Sequence, residues 1–399
     1  MSFLKRLGPG LLFAGAAIGV SHIVQSTRAG AMYSFELIGV VILANLLKLP
    51  ILEMGVRYPL ETREHLLHGY HKLGKAYLLF FLLITLCTMF IIQAAITVVT
   101  SGILMLFLPV GSNILIVAIF VLIIATCILI LGKYSFLDTF VKFIIINLSL
   151  TCILATALSF KLYDSSKVSY LFNHFDFSKT SDLLFLMALI GWMPAPVDTS
   201  VWQSLWYEQK RDYKNAFFDF HIGYWTTTFL AILFLCLGAL VMFTKGDSFS
   251  PQAVGFAGEL VNIFVESIGQ WSKPIIAFAC LATMISTTLT CLDAYPRVLA
   301  AIYKEFKGVK AYNLYNTSLA LTVVGTILVS YFFMKNMKQM VDFATLISFL
   351  VTPVIGFFNF KLFRMLKKDT KYDGFINIVF IISLIFFSLF TMYFIYQKT

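Results

Sequence analysis

The sequence contains little charge. Asp, Glu, Lys and Arg make up 13% of the 399 residues, whereas soluble proteins carry about 25%. The six cysteines lie in apolar segments without the spacing of a zinc site, so neither a metal knuckle nor a disulfide framework is indicated. A Gly-rich loop followed by Lys-Ser or Lys-Thr is also missing, which argues against an ATP-driven pump.

Apolar residues dominate instead. They form 59% of the chain, with 41 Phe and a mean hydropathy of +0.87. They occur in runs of about twenty residues, which suit helices that cross a membrane core of roughly 30 Å. The pattern predicts an all-α integral membrane protein, in contact with the lipid bilayer, with eleven spans near residues 9–30, 36–56, 77–107, 113–132, 139–160, 183–206, 217–243, 272–303, 314–334, 339–360 and 374–395.

The formal net charge of +10 is distributed between the spans rather than in a patch with stacking aromatics, so no nucleic-acid partner is expected. Basic residues concentrate in alternate loops, and such loops face the cytoplasm. This predicts a multi-pass protein of the cell membrane with its N-terminus inside and its C-terminus outside. The basic residues assigned to the inner loops are Arg57, Arg63, Lys72, Lys75, Lys133, Lys210, Arg211, Lys214, Arg297, Lys304, Lys307, Lys310, Lys361, Arg364, Lys367, Lys368 and Lys371.

Two spans are interrupted by polar or proline-rich segments, five spans apart. The first is interrupted from Gly19 to Arg28 and the sixth from Gly191 to Ser200. Irregular backbone at membrane depth is tolerated where protein or a water-filled cavity satisfies it, and paired interruptions indicate a transporter site between inverted repeats. A pair of kinked helices whose hydroxyls bond their own carbonyls is the alternative.

Several short motifs are distributed along most of the chain, namely Gly8-Pro9-Gly10, Gly30-Ala31, Leu43-Ala44-Asn45-Leu46, Met193-Pro194, Phe217-Phe218-Asp219, Thr287-Thr288-Leu289-Thr290 and Leu346-Ile347-Ser348. Together they resemble the natural resistance-associated macrophage protein (Nramp) family of divalent-metal transporters. The resemblance implies the LeuT-type fold in one transmembrane domain over residues 1–399. Its two inverted five-helix repeats would span about 9–160 and 183–360, with an eleventh helix at about 374–395 and a site between broken helices one and six.

The chain departs from this family at the ligand positions. Gly19-Val20-Ser21-His22 stands where the family has Asp-Pro-Gly-Asn, and Ala195 stands where it has His. The acidic pair of the family's third helix aligns with Gln93 and Ile96. A carboxylate 4 Å from a divalent ion is worth about 8 kcal/mol at a dielectric near 20, so its loss should cost at least roughly three decades of affinity.

The altered site therefore favours a small oxyanion, with bicarbonate as the leading candidate, because neutral donors replace the acids near the positive end of a half-helix. A divalent cation such as magnesium or manganese is the alternative, held through its waters by carbonyls, Gln25 and Asp198. Met193 is the one candidate metal ligand, with core packing as its other explanation. The expected substrate-binding residues are Gly19, Val20, Ser21, His22, Gln25, Trp192, Met193, Pro194 and Ala195.

Further residues are assigned to coupling and access. Ser286, Thr287 and Asp198 are candidates for binding sodium as a coupling ion, and no other cofactor is expected. The alternatives are that the two hydroxyls bond to carbonyls of their own helix and that Asp198 is an N-cap. Gln93 and Arg28 are expected on the pathway, although Arg28 could instead extend to the membrane interface.

A different class of protein is suggested by one further motif. His65, His68 and His71 recur at intervals of three residues, and three imidazoles on one helical face could form a membrane metalloenzyme site. The sequence shows no carboxylate beside them that would complete a catalytic site. We therefore expect a transporter and not an enzyme.

Overall fold

The computed structural model describes residues 9–109, 111–132, 134–163, 170–210, 215–308, 313–333, 336–366 and 370–398. Within these ranges all regular structure is helical. Part of the basic loops used to predict the orientation lies outside the described residues, namely Lys133, Arg211, Lys214, Lys310, Lys367 and Lys368.

The first half of the chain supplies seven α-helices and one π-helical segment, Ser21–Ser26. The helices are α1 Pro9–Ala17, α2 Thr27–Tyr33, α3 Ile38–Thr62, α4 Leu66–Leu73, α5 Lys75–Leu104, α6 Ile114–Ile130 and α7 Tyr134–Ser159. Helix α4 is short and lies between two long apolar helices, so it is a connecting helix at one end of the bundle. We call this end the His65 face.

The second half supplies eight α-helices, with a second π-helical segment at Gly238–Met242. The helices are α8 Thr180–Trp192, α9 Thr199–Lys210, α10 Ala216–Leu237, α11 Ala253–Ile268, α12 Lys273–Lys307, α13 Leu314–Phe333, α14 Met337–Met365 and α15 Lys371–Lys398. Helix α14 begins at the end of the bundle opposite α4, where Asp342 meets Arg28. We call this end the Arg28 face.

Seven of the described helical segments are long and apolar enough to cross a membrane. In the apolar 18-residue stretch of the segment that contains α12, 78% is buried inside the protein, whereas 17% is buried in the corresponding stretch of α15. Helix α12 is therefore central in the bundle, and α15 lies at its edge with most of its surface left for lipid.

Both predicted interruptions are present, but the first is shorter than predicted. Helix α1 ends at Ala17, only Ile18 and Gly19 leave helical geometry, and the chain then continues as the π-helix. Wider π turns keep backbone hydrogen bonds, so the polar residues from Ser21 onward remain helical. The sixth span is broken over residues 193–198, between α8 and α9. Two prolines, Pro194 and Pro196, lie in this break, and Pro cannot donate a helical hydrogen bond.

Helix α2 crosses the second π-helical segment at very short range. A Cβ atom added to Gly30 would lie 1.9 Å from the carbonyl oxygen of Leu235, and one added to Gly238 would lie 2.1 Å from that of Thr27. Both obstacles are backbone atoms, which cannot rotate away. Glycine is therefore required on both sides of this crossing.

We expect Gly30→Ala to lower the thermal unfolding midpoint, because the methyl group forces two backbones apart at a cost of about 1–3 kcal/mol or more. The matched control is Gly258→Ala in α11, where the new methyl group meets nothing within 4 Å. That variant should be unchanged or gain about 0.5–1 kcal/mol from better helix propensity. Equal midpoints for the two purified variants would contradict the close crossing.

A buried ionic cluster attaches α15 to α3. The guanidinium of Arg57 lies 2.7 Å from a carboxylate oxygen of Glu53 and 2.5 Å from one of Asp373. The Tyr372 hydroxyl donates to the other oxygen of Glu53 at 2.5 Å. The Glu53 and Arg57 side chains are 1% and 7% exposed, so these charges have little water to stabilise them and depend on one another.

Candidate functional site

The two helix breaks face a small cavity at the centre of the bundle. The cavity has a volume of about 20 Å³, counted as the space that the centre of a water-sized sphere can occupy. This is enough for about one water molecule. Alanine, aromatic and hydroxyl side chains surround it, so its wall is mainly apolar. The lining residues are Ala16, Ala17, Val20, Ser21, Ile92, Ile96, Trp192, Pro196, Thr199, Trp202, Thr287 and Cys291.

Ser21 and His22 form a hydrogen-bonded chain beside the first break. His22 Nε2 donates to the carbonyl oxygen of Thr227 at 2.8 Å, and His22 Nδ1 lies 2.7 Å from Ser21 Oγ. Ser21 Oγ also donates to the carbonyl oxygen of Ala17 at 2.6 Å. Both side chains are buried. Of the two, Ser21 lines the cavity, while both ring nitrogens of His22 are engaged with protein atoms.

The second break contributes Trp192, Met193 and Pro194, all in or beside the sixth span's non-helical segment. Trp192 Nε1 donates to Ser348 Oγ at 2.7 Å, which fixes the indole ring against α14 while it lines the cavity. Met193 is fully buried, with its sulfur 3.9 Å from Ser26 Oγ of the first broken helix. Met193 thus joins the second break to the π-helix that follows the first break.

Lys48 of α3 is a site residue that the sequence analysis missed. Its ammonium nitrogen lies 2.6 Å from the carbonyl oxygen of Gly191 and 3.2 Å from that of Ala195, and the residue is fully buried. The signal was available, because an ionisable residue in the middle of an apolar span indicates a functional site by default. The predicted residue Ala195 therefore contributes its carbonyl group to the site.

Asp198 closes the second break at the start of α9. The backbone N–H groups of Asp198 itself and of Thr199 lie near its carboxylate. The residue is 8% exposed and attracts Lys48 electrostatically. The position of Asp198 directly before α9 is that of the N-cap alternative.

The candidate sodium residues of α12 lie against the first broken helix. Thr287 Oγ1 is 3.1 Å from the carbonyl oxygen of Gly15 and 3.3 Å from that of Ile18. The Ser286 hydroxyl is buried and has no hydrogen-bond partner among the described residues. A Cβ atom on Gly19 would lie 2.7 Å from Thr287 Oγ1, so glycine at this break allows the two helices to approach.

A second, wider space opens at the Arg28 face. Its volume, counted in the same way, is about 450 Å³, and both Arg28 and Asp342 line it. The guanidinium of Arg28 pairs with the Asp342 carboxylate through two hydrogen bonds of 2.6 and 3.1 Å, and also donates to Gln25 Oε1 at 2.9 Å. The Phe185 ring lies over the same guanidinium.

Arg28 and Asp342 line this wide space, which we call the vestibule, and Gln25 connects them to the π-helix that follows the first break. The Arg28 side chain is 4% exposed, so it does not extend to the membrane interface, which was the alternative for this residue. Gln25, expected at the substrate, donates instead to Asp342 and Thr345 at 3.1 and 3.3 Å. We call Arg28, Gln25 and Asp342 the Arg28 gate.

Gln93 lies beside the cavity rather than in its wall. Its amide nitrogen is 3.4 Å from the carbonyl oxygen of Thr288 and from Thr97 Oγ1, and its oxygen has no partner among the described residues. The neighbouring Ile92 and Ile96 side chains line the cavity. Of the two α5 positions that are acidic in the resembled family, Ile96 thus presents apolar surface at the cavity and Gln93 lies outside the cavity wall.

The three histidines of the His65 face do have a carboxylate beside them, contrary to expectation. Glu305 of α12 lies 2.8 Å from His68 Nδ1, 3.4 Å from His71 Nδ1 and 3.6 Å from His65 Nε2. Burial lowers the pKa of His65, whose Nδ1 caps α4. Across the described part of the chain no group of three His, Cys, Asp or Glu residues is arranged to hold a metal ion. The cluster joins α4 to α12.

Known proteins resemble the chain over nearly its whole length. An uncharacterised protein of Pasteurella multocida (strain Pm70) is 34% identical over 411 residues, which cover 100% of this chain and 93% of that protein. Among solved structures, a manganese transporter of Eremococcus coleocola in complex with an aromatic bis-isothiourea compound has a TM-score of 0.65 at 13% identity, over 97% of this chain and 85% of that one. MhsT in complex with L-phenylalanine has a TM-score of 0.69 at 16% identity, over 96% and 97%.

These structural likenesses confirm the predicted LeuT-type fold of a helical membrane protein. A family model described as natural resistance-associated macrophage protein-like matches residues 10–397. The match spans both broken helices and every described helix except the first residue of α1 and the last of α15. The chain therefore belongs to the Nramp family of membrane transporters.

Proposed function

We propose that this chain is a secondary transporter of a divalent metal ion, which crosses at the cavity between the two helix breaks. Membership of the Nramp family supports a metal ion as the cargo. The observation that carries the location is the contact of both breaks with one central cavity. Broken helices expose carbonyl oxygens and N–H groups at the membrane midplane, where they can replace part of an ion's hydration shell.

The groups that could bind a metal ion here differ from the ligands of a conventional metal site. Met193 provides a buried thioether, and Ser21 and Thr199 provide hydroxyl groups at the cavity. Asp198 is the nearby acid, and it lies beside the backbone N–H groups at the start of α9. Hard ions such as magnesium retain several waters when bound. We therefore propose a partly hydrated cargo, whose entry requires the cavity to widen.

A small oxyanion such as bicarbonate is the second candidate, and a specific observation favours it. Lys48 places a positive charge beside the second break without a direct ion pair, and the first break carries no carboxylate. A unit charge about 6 Å from a divalent cation would oppose binding by roughly 5 kcal/mol at a dielectric near 20. The same charge would attract an anion.

We propose sodium as the coupling ion and an N-terminus in the cytoplasm with the C-terminus outside. The first proposal is supported by the Thr287 hydroxyl beside the carbonyls of Gly15 and Ile18, and by the buried Ser286 hydroxyl, which has no hydrogen-bond partner among the described residues. The alternation of basic loops supports the second. We also retain the division into repeats at about 9–160 and 183–360 as a proposal, supported by the matched positions of the two breaks.

Uptake into proteoliposomes tests the cargo and its coupling together. We expect saturable uptake of manganese or magnesium, stimulated by an inward sodium gradient. Met193→Ala should reduce manganese uptake about tenfold while sparing magnesium, because a thioether binds softer metals. Met89→Ala, which removes a buried methionine of α5 away from the breaks, is the matched control. Radiolabelled bicarbonate uptake without uptake of either metal would refute the metal proposal and favour the anion.

A further inference from the structure

The buried ammonium group of Lys48 bonds to backbone carbonyl groups. It donates to the carbonyl oxygen of Gly191 in the last turn of α8, and to that of Ala195 within the non-helical segment. The two bonds therefore bridge the point where the sixth span stops being helical. No carboxylate among the described residues lies within 4 Å of the ammonium.

The end of α8 is a position that attracts cations. The last carbonyl groups of a helix have no partner within the helix, and the aligned peptide dipoles leave partial negative charge there. In broken transmembrane helices, unwound carbonyls and half-helix C-terminal ends coordinate cations. At α8 the ammonium of Lys48 occupies this position.

We propose that Lys48 is a tethered occupant of a monovalent-cation site formed by the Gly191 and Ala195 carbonyl oxygens. The ammonium group takes the place of a free ion such as ammonium or potassium. Because the occupant is covalently attached through α3, the site is filled whatever ions surround the protein. The inference concerns this site alone and holds for either cargo.

The electrostatic surroundings agree with a built-in ion. Asp198, at the start of α9 on the far side of the break, is the acid that attracts Lys48 most directly. Lys48 is completely buried and Asp198 nearly so. An uncompensated buried charge costs several kcal/mol, so removal of the ammonium should leave a demand for a replacement cation.

Replacing Lys48 with Ala tests the site by binding rather than by transport. In sodium-free buffer, we expect the thermal unfolding midpoint of Lys48→Ala to rise with ammonium chloride and to saturate, relative to the same concentration of choline chloride. A ligand that binds only the folded state raises stability in this way. The parent protein should give no response, because its own ammonium fills the site.

Lys48→Met is the matched control, since its long apolar side chain fills the same space without charge. It should be destabilised and should not respond to ammonium. The proposal is overturned if folded Lys48→Ala responds no more than the parent, or if Lys48→Met responds equally. Should Lys48→Ala not fold, Lys48→Ser extracted with ammonium present takes its place in the same titration. Because no cargo is involved, a negative uptake experiment leaves this result unaffected.

Discussion

Asp342→Asn should open the central cavity to the Arg28 face. Arg28 would lose the anionic partner that holds it across the gate, and because the Asp342 side chain is 33% exposed, the loss of these charge-assisted hydrogen bonds costs about 1.5–3 kcal/mol. If the gate supports the closed shape by that amount, its equilibrium shifts by roughly tenfold to a hundredfold. Cys291, which lines the cavity, is a native reporter of this opening.

The measurement is the reaction of Cys291 with a membrane-impermeant thiol reagent added at the Arg28 face. The other five cysteines are replaced by serine, because Cys87 and Cys127 are exposed. The control is Glu266→Gln, which breaks the exposed Lys245–Glu266 pair, worth only about 0–1 kcal/mol. Unchanged labelling of Cys291 in a folded Asp342→Asn variant would contradict the gate.

The second large effect should follow Arg57→Met. This change leaves the carboxylate of Glu53 buried without its guanidinium, and Asp373 loses its contact with α3. We expect a loss of about 3–5 kcal/mol and a clearly lower thermal unfolding midpoint. Helix α15 should be the first element to separate, because little of its surface is buried by the rest of the protein.

A compensating variant separates charge from packing. Arg57→Met combined with Glu53→Leu and Asp373→Asn removes the buried charges together and should recover much of the lost midpoint, since apolar replacement of a buried ionic cluster is often tolerated. Lys72→Met, which breaks an exposed pair with Glu64, should have almost no effect. A triple variant less stable than Arg57→Met would contradict this account.

The fold could be predicted from the sequence because the patterns that indicate it are local. Apolar runs give the spans, and the proline-rich stretch after Trp192 predicts the second break correctly. The first break was predicted as too long, since the polar residues from Ser21 onward form a π-helix. Its Ser21 and His22 side chains bond to the carbonyl groups of Ala17 in α1 and Thr227 in α10.

The charged residues at the site find their partners in segments that are distant in the sequence. Lys48 bonds to carbonyl groups 143 and 147 positions away, and carbonyl groups have no sequence signature. Arg28 and Asp342 are separated by 314 positions. The sequence identified Arg28 but gave no means of choosing its partner, and Glu305 was missed beside the three histidines for the same reason.

The small size of the central cavity has a consequence for the membrane as a whole. Protons and small ions leak through proteins along continuous files of water, and a space for about one water molecule interrupts a file that runs through this cavity. The membrane potential is therefore not lost along this route while the protein has this shape. An ion that passes through this cavity must do so by a movement of the broken helices, so the rate of its passage depends on that movement and not on diffusion through a pore.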